Sequence, residues 1–265
     1  MNVISLGAGV QSTTLLLMAC KGELDFKPDF AVFSDTGWEP ESVYNHLRWL
    51  VAESEKHGIP VYRTMKGNIR EDILLSVEGK RARFVSIPIY VRNQDGEIGM
   101  SRRQCTKEYK IEPIHKEIRE RLGYYPRQRI KEKVNLHMGI SLDEVQRMKP
   151  SRVPWIIHRY PLIDQRMTRS DCLAWMRKNG YPEPPKSSCI GCPFHSDRQW
   201  LDMKRRDPEA WSDAVKIDNA IRKLPRFKGE AYLHRSGKPL DEVDLQEDQL
   251  ELDLFVNECE GMCGV

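Results

Sequence analysis

The chain has 265 residues, 40% of them apolar and 31% charged, with a formal net charge of +3. That length suits one large α/β domain, or one domain with a small appendage, and the composition supplies a real core under a polar surface. No apolar run approaches the ~18–20 residues of a membrane span and the N-terminus lacks the basic flank of a signal peptide, so the expected compartment is the cytoplasm, with no membrane partner.

Asn2–Ser5 reads as a short buried strand ending at Gly7-Ala8-Gly9, and Val10–Cys20 as the helix that follows. Pro28–Ser34 reads as a second strand that runs into Asp35-Thr36-Gly37. Pro40–His57 is a long amphipathic helix, and Ile59–Thr64 a third strand. This strand–loop–helix alternation predicts a parallel sheet with crossover helices. Gly7–Ser12 and Asp35–Gly37 then fall at the carboxyl ends of strands, where such sheets bind ligands. Arg81–Ser101, with Gly96 and Gly99, reads as an excursion or hairpin. Ile111–Leu122 is helical, and Val134–Ile140 is a strand containing Gly139. Thr168 with Asp171 three residues on marks a helix start for Thr168–Asn179. Lys186–His195 is a loop, Arg198–Leu224 is helical, and the rest is an extension. The expected division is an α/β nucleotide-binding domain with a cysteine loop over 1–200 and a helical, acidic C-terminal extension over 201–265.

Charge is unevenly placed. Arg102–Lys133 is dense in Lys and Arg, whereas Asp241–Glu260 is acidic and has neither. The basic stretch is either a phosphate-binding surface or the solvated face of an amphipathic helix. With Tyr124 and Tyr125 it is also a candidate for tracking a nucleic-acid backbone. The seven cysteines are odd in number, which argues against a disulfide framework in a reducing compartment. Cys20 and Cys172 sit in apolar helical stretches as core residues.

Two local patterns carry chemistry. In Gly7-Ala8-Gly9-Val10-Gln11-Ser12-Thr13, small residues let backbone N–H groups approach a phosphate. Ser12, Thr13 and the helix N-terminus add hydroxyls and positive dipole. The loop is neither a Walker A motif nor a dinucleotide G-x-G-x-x-G. The second pattern, Cys189-Ile190-Gly191-Cys192-Pro193, is a C-x-x-C turn that can place two thiolates on zinc or an iron–sulfur cluster, or serve redox exchange.

Taken in order, these segments resemble a family. Gly7–Ser12 is similar to the PP-loop, S-G-G-x-D-S, of the adenine nucleotide α-hydrolase-like superfamily, in the branch of PAPS reductases and DNA phosphorothioation sulfurtransferases. Gln11 stands where that loop carries its acid. Phe33-Ser34-Asp35-Thr36-Gly37 resembles the branch's strand-end D-T-G, and Cys105-Thr106-Lys107-Glu108-Tyr109-Lys110-Ile111-Glu112-Pro113 its C-x-x-x-x-K-x-x-P element. Gly139-Ile140-Ser141-Leu142-Asp143-Glu144 with Arg147 resembles its G-I-R-x-x-E-S-x-R segment, and Tyr160–Asp164 its P-L element. The resemblance spans roughly residues 2–200.

It implies a site. Gly7, Ala8, Gly9, Gln11, Ser12, Thr13, Asp35, Thr36, Gly37, Gly139 and Arg147 would bind the nucleotide, ATP or PAPS, with Mg2+ put in question by Gln11. Asp35 would touch ribose or metal and count as catalytic. Arg102, Arg103, Lys107 and Lys110 would neutralise phosphate or sulfonate. Cys105, Cys189 and Cys192 would hold a [4Fe–4S] cluster, with His195, Cys259 or Cys263 as a fourth ligand; zinc is the alternative. The implied function is a sulfurtransferase that thiolates a nucleic acid or small molecule with the help of a sulfur donor. The alternatives are a sulfonucleotide reductase with Cys259 as nucleophile and a thiol reductant, and a non-enzymatic nucleotide- or metal-binding protein.

Overall fold

The computed structural model describes residues 1–80, 87–224 and 227–245. Five parallel strands form the main sheet: β1 (Asn2–Leu6), β2 (Phe30–Asp35), β3 (Val61–Met65), β6 (Val134–Met138) and β7 (Ile156–Arg159). Their order is β3-β2-β1-β6-β7. β1 is central, with Ser5 registered against Val32 on one side and Met138 on the other. The central strands read as continuous apolar runs because helices cover both faces of the sheet.

On one face, α1 (Val10–Cys20), α2 (Glu41–Lys56) and α6 (Arg169–Lys178) pack around Ile4, Leu6, Leu16, Phe33 and Leu50. On the other face, α4 (Glu112–Arg121) sets Ile114 and Ile118 against Val3, Val32 and Leu136. α1 is buried almost all round, which is why its sequence shows little amphipathic pattern. α6 starts as expected, on a reciprocal capping box between Thr168 and Asp171.

A smaller antiparallel sheet, β5-β4-β8, joins the hairpin β4 (Tyr90–Arg92) and β5 (Ile98–Met100) to β8 (Glu230–Tyr232). It shares a third apolar cluster with α3 (Ile69–Val77), α7 (Asp197–Arg206) and α8 (Pro208–Ile221). The short α5 (Pro161–Asp164) completes the helices.

Two expectations are corrected. Arg198–Leu224 is not one helix: Asp207 caps α8 through the Ala210 N–H, and Pro208 at the first helical position starts a new axis. Among the described residues of the C-terminal region, the last α-helix ends at Ile221. β8 and a 3-10 turn at Leu240–Glu242 follow, and buried Asp218 accepts the backbone N–H groups of Leu233 and Leu240. Trp38, Ile69 and Tyr109 share their cluster with Trp200, Ile217 and Leu240, so the core is continuous across residue 200.

Candidate functional site

The strand order reverses between β1 and β6, and the crevice beyond their carboxyl ends is where an open α/β sheet can receive a ligand. The Gly7–Ser12 loop lies there. Ala8 is fully buried at φ 58°, a left-handed conformation that favours glycine and is held by its surroundings. No side chain caps the start of α1, which leaves its first N–H groups aimed at the crevice. Ser12 Oγ accepts from the Gly7 N–H at 3.2 Å, and the Thr13 hydroxyl pairs with His46 Nε2 at 3.1 Å. Burial lowers His46 to a pKa of about 4, so its ring is neutral. A Cβ on Gly139 would come within 2.5 Å of the Ser12 nitrogen, so the end of β6 meets the Gly7–Ser12 loop at a point only glycine fits.

Gln11 is tied to the segment after β6. Its amide Nε2 donates to Ser141 Oγ and to Glu144 Oε2, both at 3.3 Å, and Arg147 donates to Glu144 Oε1 at 2.5 Å. Glu144 is buried. An acid at position 11 would face this carboxylate at close range, whereas the amide donates to it. The departure from the PP-loop pattern therefore has a local electrostatic reason.

At the end of β2, Asp35 is fully buried. Its Oδ1 accepts from the Gly37 N–H at 2.7 Å and the Tyr44 hydroxyl at 2.9 Å, and its Oδ2 from Arg63 Nε at 2.6 Å. Both oxygens are hydrogen-bonded within the chain, which ties Asp35 to the 35–37 turn and to β3. Gly37, at φ 74°, completes that turn.

The next residues lead to the thiols. Thr36 Oγ1 donates to Glu39 Oε1 at 3.1 Å and lies 3.2 Å from Cys189 Sγ. Lys110 Nζ, also buried, is 3.9 Å from Glu39 Oε1. Lys110 reaches this point because Thr106–Ile111 is wound as a π-helix. On an α-helix, residues five apart point about 140° away from each other. The i→i+5 winding brings Cys105 and Lys110 to one side, and π turns concentrate at functional sites. Ser34 Oγ holds the turn to β2 through the Tyr109 carbonyl, at 2.6 Å.

Cys105, Cys189 and Cys192 line one cavity of about 30 Å³, together with Thr36, Arg103, Lys110 and Phe194. That space takes one or two waters or a single ion. Of the four expected phosphate-binding cations, Arg103 and Lys110 face this cavity, whereas Arg102 and Lys107 are exposed. Arg103 stacks over Phe194 at 5.0 Å. The C-x-x-C turn is seated on Trp38: Ile190 N–H donates to the Trp38 carbonyl at 2.8 Å, and a Cβ on Gly191 would overlap the indole. Trp38 is pinned in turn by Asp213 of α8, at 2.7 Å from Nε1, and Asp213 is gripped by Arg70. Ser187 donates to the Gly7 carbonyl, so the cysteine loop is bonded directly to the Gly7–Ser12 loop.

His195 does not join the thiols. It is buried and shows Nε2 to the Cys189 carbonyl at 3.0 Å, with its ring edge-on to Trp200. Burial, with Lys186 nearby, lowers its pKa to about 4. In this geometry it braces the loop backbone and lies outside the lining of the thiol cavity. Cys259 and Cys263 lie outside the described residues. Among the described residues, no group of three or more Cys, His, Asp or Glu is arranged to hold a single metal ion.

Sequence reasoning missed Glu39, Tyr44, Arg63 and Ser187. Glu39 had a signal in its position four residues after Asp35 in a strand-end loop. Arg63, on β3, carried none. No helix among the described residues is long and apolar enough to cross a membrane. The sequence matches no protein-family model and has no significant match among curated proteins.

Proposed function

We propose that the protein binds an adenine nucleotide at Gly7–Ser12 and uses the adjoining thiols for sulfur transfer to an acceptor, a nucleic acid or a small molecule. The observation that carries this reading is the bond between the two loops. Ser187 donates to the Gly7 carbonyl while Cys189 lies against Thr36, so phosphate-binding backbone and soft nucleophiles share one crevice. The first N–H groups of α1 would receive phosphate, with the dipole favouring its charge. Gly7–Thr14 are buried here, so entry of the nucleotide would require the residues that cover them, Ser187 among them, to move.

The three thiols are a soft donor set suited to zinc or to an iron–sulfur cluster; the cavity of about 30 Å³ that they line has room for a single ion, so a cluster would need it to widen. A single zinc ion needs its thiolates converged at about 2.3 Å, whereas a cluster takes them at separate corners. Cys105, Cys189 and Cys192 would hold it, with Lys110 and Arg103 offsetting its negative charge. When bound, a cluster with three cysteine ligands supplies one iron able to hold sulfur. Thr36 and Glu39 orient the Cys189 side chain, and His195 fixes the loop backbone. The acceptor oxygen would attack the α-phosphorus of ATP and release pyrophosphate; sulfur then displaces AMP.

Anaerobic purification with iron, sulfide and zinc analysis, paired with ATP and PAPS titrations, tests this on wild type and Cys192→Ala. About four irons and four sulfides per chain, absent from the variant, together with ATP binding, are expected. One zinc and no iron would exclude the cluster, and absence of any nucleotide binding would exclude the whole reading.

A further inference from the structure

The amino end of the main sheet carries a second concavity, unconnected with the thiols. Lys133 lies just before β6, and Pro154 and Trp155 just before β7. With Arg119 of α4 and residues 128–132 they enclose a groove of about 640 Å³. Arg119, Arg129, Lys131 and Lys133 give it four cations. Its one acid, Glu132, accepts the Tyr124 hydroxyl at 2.6 Å. Neither Arg129 nor Lys131 is within ion-pair distance of a carboxylate among the described residues.

The loop that rims the groove is fixed. Arg119 Nη1 donates to the carbonyls of Gln128, at 2.9 Å, and Tyr125, at 3.4 Å. The Tyr125 carbonyl accepts the Gln128 N–H at 3.2 Å, and the Gln128 side chain accepts the Tyr125 N–H at 2.7 Å. Pro126 takes the first corner of this turn, and Arg127 takes the second at φ 69°. A positive φ at that corner belongs to glycine or asparagine. An arginine there is strained, and because it is exposed, packing gives no reason for it. Beside it Tyr125 is 75% exposed, the highest value among the exposed large apolar side chains. A rigid tip thus holds out an aromatic plate and a cation next to a positively charged channel.

We propose that this groove and its Tyr125–Arg127 tip bind the backbone and unstacked bases of single-stranded nucleic acid. Phosphates take the channel cations, and a base face takes the Tyr125 ring. A duplex hides its base faces from the ring. A bilayer is flat and cannot follow a groove, and an acidic peptide has no use for the stacking plate. The inference goes beyond sulfur transfer, since the site stands at the opposite end of the sheet from the crevice and uses none of its residues.

The test is fluorescence anisotropy with a labelled mixed-sequence 12-nucleotide strand, as DNA and as RNA. The same strand as a duplex and vesicles containing anionic phospholipid are read alongside. The single strand is expected to bind best, with log affinity falling linearly in log salt. Arg129→Ala/Lys131→Ala is expected to weaken binding about tenfold and to reduce the salt slope by about 0.7 for each phosphate that the variant no longer neutralises. Tyr125→Ala should weaken the single strand and leave the duplex unchanged. Arg127→Gly should lower affinity while its melting temperature stays equal or rises, which separates a weaker site from a weaker fold. Cys192→Ala should bind as wild type, so a failed sulfur-transfer reading would leave this result standing. Unchanged affinity in the two groove variants overturns the proposal, as does binding to vesicles but not to the strand.

Discussion

The two ends of one sheet solve the placing of charge in opposite ways. At the carboxyl end, Asp35, Glu39, Lys110 and Glu144 are buried and answered within the chain by Arg63, Thr36 and Arg147. At the amino end, Arg129, Lys131 and Lys133 stand in solvent around a groove. Burial makes each charge at the first end expensive to misplace, so geometry there is over-determined. Exposure makes each charge at the second end cheap, additive and sensitive to salt. A single scaffold can therefore hold a stiff reaction crevice and a forgiving capture surface, provided the strands keep them apart.

The contrast is tested most severely at Lys110. Lys110→Met takes a buried cation away from the buried Glu39 carboxylate and is expected to cost about 3–5 kcal/mol in urea unfolding. Lys110→Met with Glu39→Gln should recover much of that. A change under 1 kcal/mol in the single variant would mean that the crevice is as tolerant as the groove. Next comes Gly191→Ala, whose methyl has no room above Trp38. About 3 kcal/mol of destabilisation is expected, with faster labelling of Cys189 and Cys192 by a thiol reagent.

Acidification is expected to act through buried histidines, of which only His115, packed against Trp155, adjoins the groove. His46, His115, His137 and His195 all have pKa values lowered to about 4 by burial, against an ordinary 6.5. The folded chain then binds fewer protons than the unfolded chain between those values. Their contribution to stability is complete above about pH 6.5 and is lost as pH falls toward about 4, on the order of several kcal/mol in sum. Urea melts at half-unit steps from pH 7.5 to 4.5 measure it, and a flat profile would contradict the burial of these rings. The smallest effect belongs to the groove: Arg127→Gly should gain about 0.5 kcal/mol, the relief of a left-handed arginine less the added chain entropy of glycine. A drop in stability there would show that Arg127 serves packing.

Much of the frame was legible in the sequence. β1, β2 and β6 announced themselves as apolar runs closed by glycine or Asp-Thr-Gly, because strands buried on both faces must be apolar throughout, and β3, at the sheet edge, was read from its place in the strand–helix alternation. β7 was missed: four residues at a sheet edge, ending in His158 and Arg159, carry too little pattern. β8 was missed because its three residues acquire meaning only beside β4, far off in the chain. The break at Asp207–Pro208 was readable from the proline alone. At the site, the cysteines and the glycine loop stood out by type, but their partners did not. Ser187, Glu39 and Arg63 are ordinary residues whose roles come from tertiary contacts with Gly7, Lys110 and Asp35. The bond from His195 to the Cys189 carbonyl was likewise not legible, because a histidine beside a C-x-x-C pair reads by type as a ligand.

The π-wound turn after Cys105 has a consequence for how this chain can vary in length. Cys105 and Lys110 meet because their separation is a phase, set by the winding between them. Deleting one residue from 106–109 with a return to ordinary α-helical winding would leave thiol and lysine four apart, about 40° from each other and still on one side, whereas adding one would leave them six apart and about 120° from each other. A loop such as 123–129 can gain or lose a residue at the cost of its own shape. Here a change of winding can absorb a deletion, whereas an insertion would part the thiol from the lysine.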